Sequence, residues 1–289
     1  MPQTAVVIGR AGQLGTELVS EFTARGWKVV GFDRHSLNIT DTEQVDKALT
    51  AAEPEVVLNA AAYNQVDVAE REPLAAYMVN GLAVRNLAIA CRQLAAKLVH
   101  FSTDYVFDGM TTRPYHEADP TRPLSAYGVS KLAGETYARA YLDDALIVRT
   151  SGVFGPAGRF TARGNFVELM LRLAAGGQPI RVVEDHVASP TYAPELARLT
   201  ADLVDKKASG IVHGGGETAI SWYEYARLIF RQARLDPPLR PTNEREYRTE
   251  ARRPRYSALE NRRAAQLGIR PMRPLESCVA DYLAARNRA

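Results

Sequence analysis

The sequence predicts an α/β fold, a Rossmann-like doubly wound parallel sheet with a smaller C-terminal α/β substrate-binding part. Three observations predict it. Short apolar runs alternate with helix-period stretches through the first half. Those runs are continuously apolar, as strands covered on both faces are. The first run ends in Gly9-Arg10-Ala11-Gly12-Gln13-Leu14-Gly15, glycines that open an amphipathic stretch.

Taken in order, Ala5–Ile8 is the first strand and Leu14–Arg25 the helix after its glycines. Lys28–Phe32 reads as a strand, Thr42–Ala52 as a helix and Val56–Asn59 as the third strand. Leu74–Ala95 has the apolar spacing of one helix, Lys97–Ser102 is a strand, Ala126–Tyr141 a helix and Ala145–Arg149 a strand. Right-handed crossovers put the helices on both faces. After Ser151 the rhythm loosens into a helix over Asn165–Ala175, a strand over Ile180–Val183 and a helix over Pro194–Val204. Ile211–His213 and Ser221–Arg234 follow as strand and helix, Pro237–Pro254 reads as loop, and Leu275–Ala285 is a last helix. The division falls at residues 1–151 for a dinucleotide-binding domain and 152–289 for a substrate-binding part, with later strands free to rejoin the first sheet.

Composition narrows the function. The chain has 289 residues, 46% hydrophobic and 24% charged, ordinary globular proportions that exclude a disordered or fibrous protein. Two cysteines, Cys91 and Cys278, argue against a disulfide scaffold and for a reducing cytoplasm. No run reads as long enough for a membrane span, and Met1 leads almost directly into a strand, leaving no room for a signal peptide. Residues 1–150 carry 14 Lys/Arg against 18 Asp/Glu, whereas residues 151–289 carry 22 against 15. Thirty of the 36 bases are arginine, the residue that grips phosphate with two parallel bonds, or else a solvated basic face. No basic–aromatic motif accompanies them, which sets nucleic acid aside. The five histidines are scattered without ligand spacing, so no metal site is expected. Cys91 falls on an apolar helical face as core, and Glu70 and Glu72 as capping or surface charge. Trp222 and Tyr223 read as core anchors of the later helix.

The glycine segment lets backbone N–H groups approach a pyrophosphate at a helix N-terminus, with Gly15 allowing close helix–strand packing. Gly152, Gly155 and Gly158 repeat the spacing, but Pro156 intervenes and no amphipathic helix follows, so that copy is a loop. Asp33, at the end of the second strand, stands where an acid would accept hydrogen bonds from a cofactor ribose; it could equally cap a turn. Arg34 beside it, with Arg10, could hold the 2′-phosphate of NADP. The cofactor is therefore NADPH, or NADH, with dual use open.

Tyr127-Gly128-Val129-Ser130-Lys131 is the one Tyr-x-x-x-Lys of the chain. Residues four apart on a helix share a face, which puts the phenol and the ammonium in one space. A phenol with its usual pKa of about 10 exchanges protons poorly at neutral pH. A nearby cation favours the phenolate, and each tenfold gain in acidity corresponds to about 1.4 kcal/mol. By itself the pair is an ordinary helical one. It gains meaning from Ser102-Thr103-Asp104-Tyr105, delivered at a strand's carboxyl end, where ligands of open α/β sheets bind. The Thr103 hydroxyl could orient a carbonyl beside Tyr127.

Glycine loop, hydroxyl strand and Tyr/Lys helix, in that order, resemble the extended short-chain dehydrogenase/reductase superfamily and, more closely, the dTDP-4-dehydrorhamnose reductase family. Further segments extend the likeness over nearly the whole length: Asn59-Ala-Ala-Ala-Tyr63 with Val66-Asp67 and Ala69-Glu70, then Arg149-Thr150-Ser151 and Asn165-Phe166-Val167. Val183-Glu184-Asp185, Ser189-Pro190-Thr191-Tyr192, Ser221-Trp222 and Arg253-Pro254 with Ser257 complete it.

The resemblance implies reduction of the C4 ketone of a dTDP-4-keto-6-deoxyhexose, with Tyr127 as proton donor, Lys131 tuning it and binding ribose, and Thr103 polarising the carbonyl. It also implies cofactor contacts from Gly9, Arg10, Gly12, Gln13, Leu14, Gly15, Asp33, Arg34, Asn38, Ile39, Ala60, Ala61, Tyr63 and Ser102. Tyr105, Gly152, Asn165 and Arg253 fall on the nucleotide-sugar side, with Arg253 and its neighbours toward the diphosphate. The chain departs from the family twice: Gly152 stands where Trp is usual, removing a wall beside the sugar, and Asn38 replaces an Asp in Leu37-Asn38-Ile39. Two other readings stay open, a regulatory subunit like the methionine adenosyltransferase beta subunit and another extended nucleotide-sugar epimerase. A dehydratase would need an Asp-Glu pair after Thr103, which is absent. The expected partner is the nucleotide-diphosphate sugar alone, bound by a cytoplasmic monomer or homodimer.

Overall fold

The computed structural model describes residues 2–161 and 164–288. Its centre is a six-stranded, all-parallel sheet in the order β2-β1-β3-β4-β5-β8. The first five strands are β1 (Thr4–Ile8), β2 (Lys28–Phe32), β3 (Val56–Asn59), β4 (Lys97–Thr103) and β5 (Leu146–Thr150). The sixth, β8 (Gly210–His213), pairs with β5 although it comes from the second half of the chain.

Helices cover both faces, which is why the central strands carry apolar residues on successive positions. On one face α1 (Gln13–Ala24) packs beside α8 (Ala193–Asp205), burying Leu18, Phe22, Leu196 and Leu199 against Val7, Leu58 and Val148. On the other, α2 (Thr42–Ala52), α5 (Ala83–Gln93) and α6 (Ala126–Tyr141) bury Val45, Leu49, Leu87 and Ala138 against Val6, Val57 and Ile147. Short helices α3 (Val68–Arg71) and α4 (Pro73–Tyr77) precede α5. Local signals set several bounds: the Asp41 side chain accepts the Gln44 N–H at the start of α2, and Ser125 accepts that of Gly128 at the start of α6.

The predicted single helix over Leu74–Ala95 is interrupted by a π turn at Met78–Leu82. The wider turn buries Asn80, whose amide accepts the Tyr63 N–H at 2.9 Å and donates to the Tyr63 carbonyl at 2.9 Å and to Ser130 Oγ at 3.0 Å. Such bulges re-aim side chains toward functional sites, and this one clamps the loop after β3. The run Pro73–Gln93 is, contrary to the sequence reading, long and apolar enough to cross a membrane by length and composition. Its apolar residues Ala83, Val84, Leu87, Ala88 and Cys91 are core.

The C-terminal part has its own core of Phe154, Val167, Met170, Tyr225, Ile229, Val279 and Tyr282. It is built from α7 (Phe166–Ala175), α9 (Trp222–Ala233) and α11 (Leu275–Arg288), with β6 (Ile180–Val183), β7 (Val187–Ala188), β9 (Ile220–Ser221) and β10 (Leu239–Thr242), whereas α10 (Arg262–Gln266) packs its Ala264 on the core of the six-stranded sheet beside β8. The strand β10 corrects the expectation of a loop over 237–254: it pairs in parallel with β6. Pro241 is tolerated because the two strands form a two-stranded sheet, so one edge of β10 needs no donor.

Candidate active site

β1 and β3 lie side by side, with β2 beyond one and β4 beyond the other, so the chain leaves them in opposite directions. The crevice beyond such a switch point is where doubly wound sheets bind ligands. Here the cleft beyond the carboxyl ends of the strands has a volume of about 410 Å³.

One wall is the glycine loop. Gly9 turns at φ +83°, and a Cβ on Gly15 would sit 2.1 Å from the Gly9 carbonyl oxygen, so only glycine lets α1 approach so closely. Gly12 stands at the N-cap of α1 and no side chain caps it. Gly12, Gln13, Leu14 and Gly15 therefore face the cleft at a helix N-terminus, opposite Ala60 and Ala61 from the loop after β3. This cradle fits a dinucleotide pyrophosphate: a side chain at Gly9 would strike Ala61 N at 2.8 Å, and uncapped amides point where phosphate oxygens would accept. The second glycine run buttresses it. Gly155 N–H donates to Gln13 Oε1 at 3.1 Å beside a 3₁₀ turn at Pro156–Phe160.

The adenine side is less direct. Asp33 directly follows β2, but its carboxylate accepts the His35 and Ser36 N–H groups at 3.0 and 3.1 Å, bonds that hold its pKa below the usual range, with Arg10 Nε 3.5 Å away. The turn-cap reading and the charged pair thus coexist, and Arg34 lies exposed beside them. Asn38 turns onto Thr40 at 2.8 Å, and Ile39 is buried in the core, so neither side chain lines the cleft. Tyr63 is also outside the lining; its hydroxyl donates to Glu72 at 3.1 Å.

The reacting end is assembled by β4, β5 and α6. Thr103, Tyr105, Tyr127 and Lys131 all line the cleft. The Tyr127 phenol hydrogen-bonds Thr103, and the Tyr105 ring meets it edge-on at 5.8 Å. Burial pushes Tyr127 up to about 12, against the lowering effect of Thr103. Lys131 is buried, which brings it down to about 8. Its Nζ donates to the Phe101 carbonyl at 2.6 Å and stands 3.4 Å from His100 Nε2. Ser102 lines the floor and donates to Glu135 at 2.5 Å, and Glu135 is gripped by buried Arg149 at 2.7 and 2.9 Å.

On the sugar side, Gly152 turns at φ +51°, and a Cβ there would meet the Trp222 ring at 3.2 Å. Trp222 therefore closes the wall that Gly152 leaves open. Its expected role as a core anchor is corrected to a double one, since it packs on Phe166 at 4.7 Å and also lines the cleft. Arg253 lines the cleft while paired to Asp67 at 2.7 Å and bonded to Tyr105. Asn165, expected toward substrate, lies elsewhere. It caps α7 and donates to Gln13 Oε1 at 2.8 Å, tying α7 to the glycine loop from behind. The lining also includes Asp104, His186 and Ser257, none of which sequence reasoning gave a role. The signal for Asp104 was its place directly after Thr103. Among the described residues no group of acids, histidines and cysteines could hold a metal.

A cleft with a phosphate cradle at one end and a half-buried phenol beside a hydroxyl at the other can deliver a proton to a carbonyl next to a nicotinamide. Comparison with known proteins agrees. The family model described as the RmlD substrate binding domain matches residues 3–288. The chain is 38% identical to the spore coat polysaccharide biosynthesis protein SpsK of Bacillus subtilis, covering 98% of both. It is 37% identical to dTDP-4-dehydrorhamnose reductase of Mycobacterium tuberculosis, covering 97% of this chain and 92% of that one. The crystal structure of dTDP-4-dehydrorhamnose reductase from Bacillus anthracis in complex with NADP superposes with a TM-score of 0.93 at 33% identity, over 98% of this chain and 99% of that one.

Proposed function

The chain belongs to the RmlD substrate-binding-domain family, and on that premise we propose that it is an NAD(P)H-dependent oxidoreductase that reduces the C4 ketone of a dTDP-4-keto-6-deoxyhexose, converting dTDP-4-dehydrorhamnose to dTDP-rhamnose. NADPH or NADH, when bound, supplies the hydride to C4. Tyr127 then gives its phenolic proton to the ketone oxygen as charge develops there. Thr103, hydrogen-bonded to that phenol, fixes where it points. Lys131, which lines the cleft and donates to the Phe101 carbonyl, would bind the nicotinamide ribose. Gly9, Gly12 and Gly15 hold the pyrophosphate, and Arg253 with Tyr105 forms the side that receives the sugar nucleotide.

The observation that carries this reading is the meeting of Thr103 and Tyr127 in the same cleft as the uncapped start of α1. Two buried, free thiols, Cys91 and Cys278, support placing the enzyme in the cytoplasm. The test is NADPH oxidation by the purified protein with a panel of dTDP-4-keto-6-deoxy sugars. Turnover is expected, and the preferred sugar reports what the Gly152–Trp222 wall admits. Tight NADPH binding with no turnover of any sugar would overturn the enzyme reading in favour of a regulatory subunit.

A further inference from the structure

We propose that Asp104 is a positioning residue of the reductase, holding the Thr103 hydroxyl and returning a proton through it to Tyr127 after each turnover. The proposal rests on the reading that Tyr127 protonates the ketone oxygen.

Asp104 follows β4 directly and is 3% exposed, yet it lines the cleft. Three hydroxyls from distant segments converge on its carboxylate. Thr103 Oγ1 donates to Oδ1 at 3.1 Å, while Ser151 Oγ at 2.9 Å and Ser257 Oγ at 2.5 Å donate to Oδ2. A buried carboxylate with hydroxyl partners and no cation among them keeps its proton more readily, and burial raises this one to about 6 despite the hydroxyls. Of the other titratable groups of the cleft two are engaged, and the third, His186, has a buried Nε2 without a hydrogen-bond partner. Arg253 is on Asp67 and Tyr105, Lys131 is on the Phe101 carbonyl, and burial lowers the pKa of His186. The phenols of Tyr105 and Tyr127 are the groups that feel the Asp104 charge, each pushed up by it.

The Thr103 hydroxyl has one proton to give and two lone pairs to offer. One lone pair accepts the Tyr105 N–H at 3.2 Å. With Asp104 ionised, the proton goes to Asp104 and the second lone pair accepts the Tyr127 hydroxyl. With Asp104 protonated, the carboxyl O–H donates to Thr103, and the Thr103 proton turns toward the Tyr127 oxygen. The two arrangements differ in direction, and in the second the Tyr127 O–H is released from Thr103 and free to point at the ketone oxygen.

That reversal is what a phenol needs after it has given up its proton. In the reduction the Tyr127 O–H bond breaks and an O–H bond forms on the new alcohol. The phenolate takes the Thr103 proton, Thr103 takes the carboxyl proton of Asp104, and Asp104 is left ionised until water at the cleft mouth protonates it. One proton enters per hydride consumed, as reduction of a ketone to an alcohol requires. The route through Lys131 is less direct, because its Nζ lies against the Phe101 carbonyl and His100.

The test is kcat against pH, from about pH 5 to about pH 9, for wild type, Asp104→Asn and Ser257→Ala, at saturating NADPH and ketosugar. The wild-type kcat should fall as pH rises through an inflection near the Asp104 value of about 6. Asp104→Asn keeps an acceptor for Thr103 but stores no proton. It should lose that inflection and about 10- to 100-fold in kcat while binding NADPH as before. Ser257→Ala removes a donor to the ionised form, so its inflection should move to higher pH. Wild-type kcat and pH dependence in Asp104→Asn would overturn the relay. Where that variant does not fold, an unmoved inflection in Ser257→Ala overturns it. No turnover by wild type would overturn the reaction and the relay together; turnover beside an unaltered Asp104→Asn overturns the relay alone.

Discussion

Replacing Gly15 by alanine probes the phosphate cradle with a single methyl group. Its Cβ would lie 2.1 Å from the Gly9 carbonyl oxygen, 2.7 Å from the Gly9 carbonyl carbon and 2.8 Å from Arg10 Cα. Relaxed contacts need about 3.4 Å or more between such atoms. The Gly9–Gly12 turn and α1 must therefore separate by about 1 Å, and both belong to rigid backbone rather than to a flexible side-chain end. Overpacking of this kind costs about 1–3 kcal/mol of stability. The same separation withdraws the amides of Gln13 and Leu14 from a bound pyrophosphate. Each hydrogen bond to a charged group contributes about 1.5–3 kcal/mol, so the loss of one is roughly a 10- to 100-fold rise in the Kd for NADPH. Fluorescence titration with NADPH, beside urea unfolding, separates the two effects. Gly26→Ala is the control: it strains a left-handed turn, at φ +84°, but meets nothing within 4 Å and lies just past the far end of α1. It should lose stability and keep its NADPH affinity. A Gly15→Ala protein whose Kd for NADPH stays within about twofold of wild type would refute the cradle.

Glu135→Gln removes one charge of the buried pair with Arg149, both 2% exposed, and leaves the guanidinium without a counter-charge. Stability should fall by about 3–5 kcal/mol in urea unfolding, because the single remaining carbonyl oxygen must serve both Ser102 and Arg149 while the new NH2 faces the guanidinium. Arg10→Ala removes the cation nearest Asp33 at the end of β2. It should raise the KM for NADPH several-fold more than that for NADH, measured side by side, because only the former carries a 2′-phosphate.

Much of the fold was legible because its signals are local. Thr42–Ala52 and Ala126–Tyr141 begin at their side-chain caps, Asp41 and Ser125, and match the predicted bounds residue for residue. What escaped depends on distant partners. β10 exists because β6 lies beside it, and Pro241 argues locally against a strand. The π turn at Met78–Leu82 makes sense only with Tyr63 and Ser130 on the Asn80 amide.

The site divides in the same way. The glycine loop, Thr103, Tyr127 and Lys131 could be named from spacing, yet the direction of the Lys131 ammonium toward the Phe101 carbonyl could not, since a shared helix face does not fix a long side chain's end. The role of Asp104 was hidden because its partners Ser151 and Ser257 are 47 and 153 residues away. The arginine excess of the second half is mostly solvated surface: Arg181, Arg255 and Arg262 form exposed pairs with Glu246, Glu244 and Glu260. Among the described residues Arg253 is the one arginine that lines the cleft.

The central claim is that the Tyr127 phenol gives the proton to the ketone oxygen. Tyr127→Phe deletes that one oxygen from a half-buried ring and leaves the cradle, Thr103 and the sugar wall in place. The direct measurement is kcat for NADPH-dependent reduction of dTDP-4-dehydrorhamnose by wild type and by Tyr127→Phe, with NADPH affinity determined on both. The account predicts a loss of about 100-fold or more in kcat at unchanged NADPH affinity. Turnover by Tyr127→Phe at the wild-type rate would contradict it.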